Sequence, residues 1–340
     1  MKDKLQGMNI LLVQLSFLGD MILSTPVIAG IKKIHPTASL SVLTTPLAAA
    51  LIENDPLVDT VLTFDKRGRD KSISGMMAKA SLLSTYGFDR VYSLHRSYRT
   101  SMLLALSNIP ERIGFKDAHL SFLYTARRTK KTADHAVIRN LSLLFEELPE
   151  RALETPLRLF SPHFDALSRD AKALIPKTED MIVLAPGSAW KTKQWHWQGY
   201  ASVAQYFCKL GKTVVLMGGP DDRAVCQKIN AQSDTLDFSG RLTLSDTLYL
   251  MKQSRLLICN DSMALHMASA FRIPTVAVFC ATSPAFGFGP WQNPYAVVVQ
   301  DDTLGCKPCR RHGSNRCPKG TEACMTIDAE SVIHACTTLL

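Results

Sequence analysis

The sequence has no run of about 18 uninterrupted apolar residues, the length that a transmembrane helix needs, so no membrane span is expected. A secretion signal is missing as well. Lys2 and Lys4 precede an apolar stretch, but Gln14, Ser16 and Asp20 interrupt it and no A-x-A cleavage site follows. We therefore interpret this stretch as a first strand. We expect a cytoplasmic protein whose contact with a membrane, if any, is peripheral and on the cytoplasmic face of the inner membrane.

The composition also lacks the features of a disordered, repetitive or nucleic-acid-binding chain. Hydrophobic residues make up 46% and charged residues 20%, which is a globular mixture without a short-period repeat. The net charge is +9, but the basic residues are not interleaved with aromatics, and no nucleic-acid-binding motif is visible. Residues 1–175 hold 23 Lys and Arg against 17 Asp and Glu, so an anionic partner other than nucleic acid is expected on the first half.

Strand-like and helical segments alternate along the chain in two blocks, which predicts parallel sheets with right-handed crossovers. Between the blocks, four prolines and several turn signals at 149–180 indicate a domain boundary. The fold class is therefore α/β. The predicted divisions are a first domain at 1–165, a linker at 166–180, a second domain at 181–325 and a last helix at 326–340.

Three polar loops each connect the end of an apolar strand to the start of a helix. Asn260, Asp261 and Ser262 follow an apolar strand, Gly19 and Asp20 follow the first strand, and Pro-Gly-Ser follows a strand at 181–185. Such junctions present backbone N–H groups at the positive end of a helix dipole, where open α/β sheets bind phosphates. The alternative is that Asp261 only caps its helix.

Six segments, in order, resemble the lipopolysaccharide heptosyltransferases of glycosyltransferase family 9. They are SFLGDMILSTP, FDRVYSLHRSYRTSMLLALSNIPERIGF, PGSAWKTKQW, VVLMGGPDD, FSGRLTLSDTLYLMKQSRLLICNDSMALHMASA and TVAVFCATSP. The resemblance implies the GT-B architecture, in which two Rossmann-like domains face each other across a cleft, with the last helix packing back on the first domain. Gln14 stands where the family commonly has arginine, and Met263 and Cys280 stand where it usually has glycine.

The resemblance implies inverting, metal-independent transfer of heptose from ADP-heptose to the anionic lipopolysaccharide core, either Kdo-lipid A or heptosylated core. Sugar transfer needs a base for the acceptor hydroxyl and a positive charge for the leaving diphosphate. The matching positions are Asp20 for the base and Lys193 for the charge, with Lys191 as an alternative. The competing interpretation of Asp20 is a helix N-cap, and that of a loop lysine is simple solvation.

The second domain is expected to bind the donor, and the first the acceptor. A lone helical histidine is as often a core residue as a ligand, and most surface arginines are merely solvated. The expected donor-binding residues are Gly187, Ser188, Lys191, Asp261, Ser262, Met263 and His266. The expected acceptor-binding residues are Gly19, Arg96, Arg99, Arg127 and Arg128.

Four of the nine cysteines lie in one basic loop with the spacing C-x2-C-x7-C-x6-C, namely Cys306, Cys309, Cys317 and Cys324. The first pair has the spacing of a zinc knuckle, whereas the second pair lacks it, so the pattern suggests either a structural zinc or another metal, or free thiols. Disulfides are disfavoured in a reducing cytosol. No cofactor is expected to be required for the reaction.

Three alternatives to heptose transfer remain open at the level of the sequence. They are transfer of another nucleotide sugar, a GT-B-type epimerase, and a nucleotide- or metal-binding module without catalysis. An epimerase has little use for a basic acceptor surface, and a simple binding module needs no base such as Asp20 in addition to Lys193.

Overall fold

The computed structural model describes residues 7–175 and 180–340, which form two compact units with a boundary between Phe160 and Ser161. Part of the predicted linker forms a helix of the second unit. The N–H of Ser168, the N-cap of this helix, donates to the Asp246 carboxylate at 2.9 Å. Residues 176–179 of the predicted linker lie outside the described residues.

The first unit contains a six-stranded sheet with the order β3-β2-β1-β4-β5-β6, and every neighbouring pair is parallel. Its strands are β1 (Asn9–Gln14), β2 (Ser39–Thr44), β3 (Thr60–Thr63), β4 (Arg90–Ser93), β5 (Glu111–Phe115) and β6 (Ala126–Arg128). Its helices are α1 (Leu18–Ile22), α2 (Thr25–Ile34), α3 (Pro46–Ala49), α4 (Ile73–Thr85), α5 (Tyr98–Ala105) and α6 (Ala136–Leu141).

The second unit repeats this architecture with the order β12-β11-β10-β7-β8-β9, again with parallel neighbours. Its strands are β7 (Met181–Ala185), β8 (Thr213–Leu216), β9 (Leu236–Asp237), β10 (Ser254–Asn260), β11 (Thr275–Phe279) and β12 (Ala296–Gln300). Its helices are α7 (Arg169–Leu174), α8 (Trp197–Lys209), α9 (Arg223–Asn230), α10 (Leu244–Lys252), α11 (Met263–Phe271) and α12 (Ala329–Thr337). Two Rossmann-like units confirm the predicted α/β fold class.

The central strands are buried on both faces, which explains why they are apolar without alternation. Sequence-local signals fix the helix starts. The side chains of Ser72, Ser97 and Thr243 accept the first backbone N–H groups of α4, α5 and α10. Because all strands of a sheet are parallel, the loops that follow them gather at one edge. In the first sheet the order reverses at β1 and β4, and in the second at β7 and β10.

The last helix, α12, packs on the second unit, because its buried residues Val332, Ala335 and Cys336 belong to the core around β10, β11 and α8. The indole N–H of Trp195 also donates to the carbonyl of Ile327, just before α12, at 2.8 Å. The packing on the first domain that the resemblance implies stays a prediction. Among the described residues, no helix combines the length and apolar character needed to cross a membrane.

Candidate active site

Asp20 lies in α1, directly after the loop that leaves β1. Its Oδ2 accepts the backbone N–H of the N-cap residue Phe17 at 3.3 Å, so Asp20 bonds to the start of its helix from the third position and is not the N-cap that the competing interpretation expected. Gly19 contributes its carbonyl to the next turn, where it accepts the N–H of Leu23 at 3.0 Å. The capping contact orients Asp20 and does not conflict with a role as a base.

A buried polar network around Gln14 fixes the loop that carries Asp20. The Gln14 side chain accepts the N–H of Ser16 at 3.2 Å and donates to the hydroxyl of Ser24 at 2.9 Å. Ser24 in turn donates to the carbonyl of Asp20 at 2.6 Å, and Asn140 donates to Ser24 at 3.2 Å. The neutral amide at position 14 therefore joins the loop after β1 to Ser24, just beyond α1.

Lys66 and His95 form a second feature of this edge, and the sequence analysis missed both residues. Lys66 Nζ donates to the carbonyl of Leu15, at the end of β1, and lies 3.5 Å from His95 Nε2. His95 Nδ1 lies 2.7 Å from the hydroxyl of Thr100. Burial, followed by the charges of Lys66 and Arg96, lowers the pKa of His95 to about 4. A neutral imidazole can accept from Lys66 at Nε2 and donate from Nδ1 to Thr100.

Burial also lowers the pKa of Lys66, with a further contribution from Arg67. A signal for the Lys66–His95 pair was present in the sequence, because Lys66 follows β3 and His95 follows β4. The rule that selected Asp20, polar residues at the carboxyl end of a strand, applies to them equally.

The structure gives the predicted acceptor arginines different roles. Arg96 forms a salt bridge with Asp117, and Arg128 forms one with Glu146 at 2.6 Å. Arg99 donates to the carbonyls of residues 70 and 72, and its guanidinium lies 5.6 Å from the ring centroid of Phe64. Arg127 is exposed on the edge strand β6. Arg99 therefore holds the loop before α4 in place.

In the second unit, Lys193 and Asp261 form a buried ion pair with 2.7 Å between Nζ and Oδ2. Their side chains are only 12% and 5% exposed, and the same carboxylate oxygen accepts the hydroxyl of Thr282 at 2.7 Å. Lys191 starts the same short turn but is exposed. The structure therefore distinguishes the two lysines that the sequence left as alternatives: Lys193 is the one held against Asp261.

Hydrogen bonds connect the loop after β7 to the end of β10. Asn260 donates to the carbonyl of Pro186 at 2.7 Å and accepts the N–H of Trp195 at 3.0 Å. Ser188 donates to the carbonyl of Asp261 at 3.3 Å. A Cβ at Gly187 would lie 2.2 Å from a carboxylate oxygen of Asp222, so this position has no room for a side chain.

Helix α11 begins directly after the Lys193–Asp261 pair. Its N-cap, Ser262, is extended and makes no side-chain bond to the helix, and Met263 is its first, partly exposed residue. His266 is buried in the same helix, which favours the core interpretation of this residue. The structure thus brings five predicted residues to one sheet edge: Gly187, Ser188, Lys193, Asp261 and Ser262.

The cysteine loop does not form the metal site that its spacing suggested. Among residues 7–175 and 180–340, no group of three or more His, Cys, Asp or Glu side chains is placed to hold a metal ion. Cys309 donates instead to the carbonyl of Cys306 at 3.1 Å, and Cys324 is buried. Backbone N–H groups, first that of Glu322, lower the pKa of Cys317. The predicted zinc has no support here, and all four thiols are free.

Two Rossmann-like units, each with polar loops at the carboxyl edge of its sheet, form the GT-B architecture, which solved glycosyltransferases share with a UDP-GlcNAc 2-epimerase. The sequence profile of glycosyltransferase family 9 (heptosyltransferase) matches residues 77–318, more than half of the chain. The chain therefore belongs to this family and is a glycosyltransferase.

Relatives and solved structures agree with this assignment. Lipopolysaccharide heptosyltransferase 2 of Salmonella typhimurium is 25% identical, over 82% of this chain and 84% of the relative. A family 9 glycosyl transferase from Veillonella parvula superposes with a TM-score of 0.83 at 26% identity, over 99% of this chain and 98% of that one. The ADP-heptose lps heptosyltransferase II of E. coli superposes with a TM-score of 0.81 at 22% identity, over 98% of both chains.

Proposed function

We propose that this protein transfers heptose from ADP-heptose to the inner core of lipopolysaccharide, with inversion at the anomeric carbon and without a required metal. The observation that carries the proposal is the buried Lys193–Asp261 pair, at the sheet edge where α/β folds bind phosphates. Membership of the heptosyltransferase family, and relatives named for lipopolysaccharide heptose transfer, support the choice of donor and acceptor.

The second unit binds the donor in this proposal. The ammonium of Lys193 moves from Asp261 to the diphosphate and stabilises the charge that grows on ADP as the glycosidic bond breaks. Backbone N–H groups around Ser262 and Met263, at the start of α11, bind phosphate oxygens. Gly187 and Ser188 border the same pocket, Asp261 contacts donor hydroxyl groups, and Lys191 adds a longer-range positive charge.

The first unit binds the acceptor and supplies the base. Asp20 takes the proton of the acceptor hydroxyl, whose oxygen attacks the anomeric carbon on the side opposite ADP, so the C–O bond to ADP breaks as the new bond forms. Lys66, Arg96, Arg127 and Arg128 provide positive charge for the carboxylates and phosphates of Kdo-lipid A or heptosylated core. Because that acceptor is a lipid, the protein works in the cytoplasm with peripheral contact to the inner membrane.

The test is an incubation of the full chain with a panel of nucleotide sugars and lipopolysaccharide cores that carry no heptose or one heptose. Mass spectrometry of the acceptor should show one added heptose residue, with ADP-heptose as the productive donor. The core that gains the heptose is then identified as the acceptor. Transfer from a different nucleotide sugar alone would contradict the proposed donor. A nucleotide sugar that is epimerised without any acceptor product would contradict the transferase assignment.

A further inference from the structure

Exposed apolar side chains are concentrated on the first unit. Of the sixteen large apolar side chains that are exposed among the described residues, twelve belong to this unit. Ile73 and Met77 lie one turn apart on α4, with 76% and 57% exposure. Single exposed apolar residues are ordinary, but a contiguous group of them marks an interaction surface.

Helices α4 and α5 lie side by side, and Arg99 of α5 donates to the carbonyl of Ser72 at the start of α4. Helix α4 connects β3 to β4, and α5 connects β4 to β5, so both right-handed crossovers lie on the same face of the sheet. The two helices bury Met76, Ala80, Leu83, Leu103 and Leu104 in a shared core, and their other sides face outward.

On the outward side of α5, Tyr98, Met102 and Leu106 are exposed at four-residue spacing. Phe122, which is 71% exposed, lies on the short turn Ser121–Leu123 that contacts α5. We call this group of residues the apolar face. Its members are Ile73, Met77, Tyr98, Met102, Leu106 and Phe122.

A basic loop directly precedes the apolar face. Arg67, Arg69 and Lys71 are exposed, and they lie between β3 and α4. The two acidic residues of this loop are held by local contacts. Asp65 accepts the N–H groups of residues 67–69, while Asp70 is buried, accepts the N–H of Asp65 and forms a salt bridge with Arg69 at 3.3 Å. The loop therefore presents mainly positive charge to solvent.

The location of this surface fits a lipid-linked substrate. Ile73 and Tyr98 are the first residues of their helices, so they lie near the carboxyl edge of the sheet, the edge from which the Asp20 loop also leaves β1. Apolar side chains beside exposed basic residues match the two components of an anionic bilayer surface, the acyl-chain boundary and the negative headgroups.

We propose that the apolar face and the basic loop are the surface by which this protein binds an anionic lipid bilayer. The inference rests on the proposed function, because transfer to a lipid-anchored acceptor requires contact between the protein and the bilayer. The exposed side chains and charges that carry it are independent of any catalytic residue.

Co-sedimentation of the full chain with vesicles tests the proposal. The wild-type protein should bind phosphatidylcholine vesicles that contain phosphatidylglycerol, and bind pure phosphatidylcholine more weakly. Ile73→Ser combined with Met77→Ser should weaken binding on the order of tenfold, because apolar area no longer enters the bilayer. Arg67→Gln combined with Lys71→Gln should weaken it about fivefold per charge removed, and added salt should act in the same direction.

Leu210→Ser combined with Leu236→Ser is the matched control, because these leucines are exposed on the second unit. This control should bind vesicles like the wild type. Equal losses in the control and in the Ile73 and Met77 variant, or no vesicle binding by the wild type, would overturn the proposal. A third outcome would also overturn the proposal: the wild type self-associates, the Ile73 and Met77 variant is monomeric, and both proteins bind vesicles equally. The apolar face would then be an interface between copies of the chain.

Transfer to an acceptor dispersed in detergent separates this proposal from the proposed function. The Ile73 and Met77 variant should retain wild-type turnover there and lose it with acceptor embedded in vesicles. Vesicle binding without any sugar transfer would contradict the proposed function and leave the membrane surface standing. Transfer in detergent without vesicle binding by the wild type would contradict the membrane surface alone.

Discussion

At the scale of single residues, the proposed chemistry of the donor centres on Lys193. An ammonium that is removed from water needs a partner, and Asp261 provides one at 2.7 Å while Thr282 shares the same carboxylate oxygen. The sequence identified Lys193 and Asp261 as separate candidates but gave no sign that they pair. The pairing results from the adjacent positions of β7 and β10 in the sheet, a long-range contact that local patterns do not encode.

Lys193→Ala should lower turnover more than it weakens binding of intact ADP-heptose, because the charge on the leaving diphosphate grows in the transition state. The variant also leaves the buried Asp261 without its cation, with only the Thr282 hydroxyl bonded to that oxygen, which costs on the order of 3–5 kcal/mol of stability. Adding Asp261→Asn should therefore restore the melting temperature without restoring kcat.

Steady-state kinetics, donor calorimetry and thermal unfolding measure these three effects separately. Lys191→Ala is the matched control, because this exposed lysine starts the same turn. It should change each quantity far less. An unchanged kcat in Lys193→Ala would move the role to Lys191 or to the start of α11.

Other single residues show where sequence reasoning stops. Arg99 was predicted as an acceptor-binding residue, and the sequence did not show that its guanidinium binds carbonyls of the loop before α4. His95 had the same strand-end position as Asp20, but its pKa of about 4 results from burial and from the nearby charges of Lys66 and Arg96, which only the folded unit shows. Polarity and position along the chain predict that a side chain lies at a sheet edge; they do not predict which partner it finds there.

At the scale of elements, the buried strands were predictable and the edge strand was not. Runs without polar alternation, such as β1 and β7, mark strands that are covered on both faces. Strand β6 has only three residues, two of them arginine, and lies at the end of its sheet. Such an edge strand contributes little to the core, so its sequence carries no hydrophobic pattern. Arg127 and Arg128 were predicted as acceptor-binding residues and not as part of a strand.

The loop between β1 and α1 depends on Gln14 for its shape. Gln14→Ala should remove the acceptor of the part-buried N–H of Ser16 and one of the three bonds of the buried Ser24 hydroxyl, at a cost of about 1–3 kcal/mol. We expect kcat to fall about tenfold or more with donor affinity unchanged, because Asp20 moves relative to the acceptor.

Gln14→Glu provides the comparison, because a carboxylate keeps the bond from Ser16 and cannot donate to Ser24. It should therefore lie between the wild type and Gln14→Ala in kcat. Melting temperature and kcat should be measured for all three proteins. A lower melting temperature with unchanged kcat in Gln14→Ala would show that the network supports the fold and not the position of Asp20.

The cysteine loop illustrates the opposite error, a pattern that suggested more than the structure supports. A C-x2-C spacing brings two sulfurs near each other, but a metal site also requires further ligands that converge on one point. In the described chain that convergence is missing, and the Cys309 thiol bonds to the backbone of Cys306. Spacing within a loop cannot specify the path of the loop, which depends on what the rest of the unit packs against it.

At the scale of the whole molecule, two alternating blocks of strands and helices were sufficient to predict two α/β units. The boundary region at 149–180 brackets the division at Phe160 and Ser161. The finer limits were harder to predict, because α7 interrupts the expected linker and joins the second unit through Asp246. A short helix of mixed composition has no sequence feature that assigns it to one neighbour or the other.

The central claim concerns the division of labour between the units: the second unit binds the donor, and the first supplies the base. Asp20→Asn tests it most directly, because asparagine keeps the shape and can still accept the N–H of Phe17, but cannot take a proton. Turnover with ADP-heptose and the core acceptor should be measured beside donor affinity by calorimetry, with thermal unfolding as the check on folding.

The account predicts that the Asp20→Asn protein folds and binds ADP-heptose like the wild type, while turnover falls on the order of 100- to 10,000-fold. A fully active Asp20→Asn enzyme would contradict the assignment of the base. A loss of donor affinity that matches the loss of turnover would contradict the division of labour between the two units.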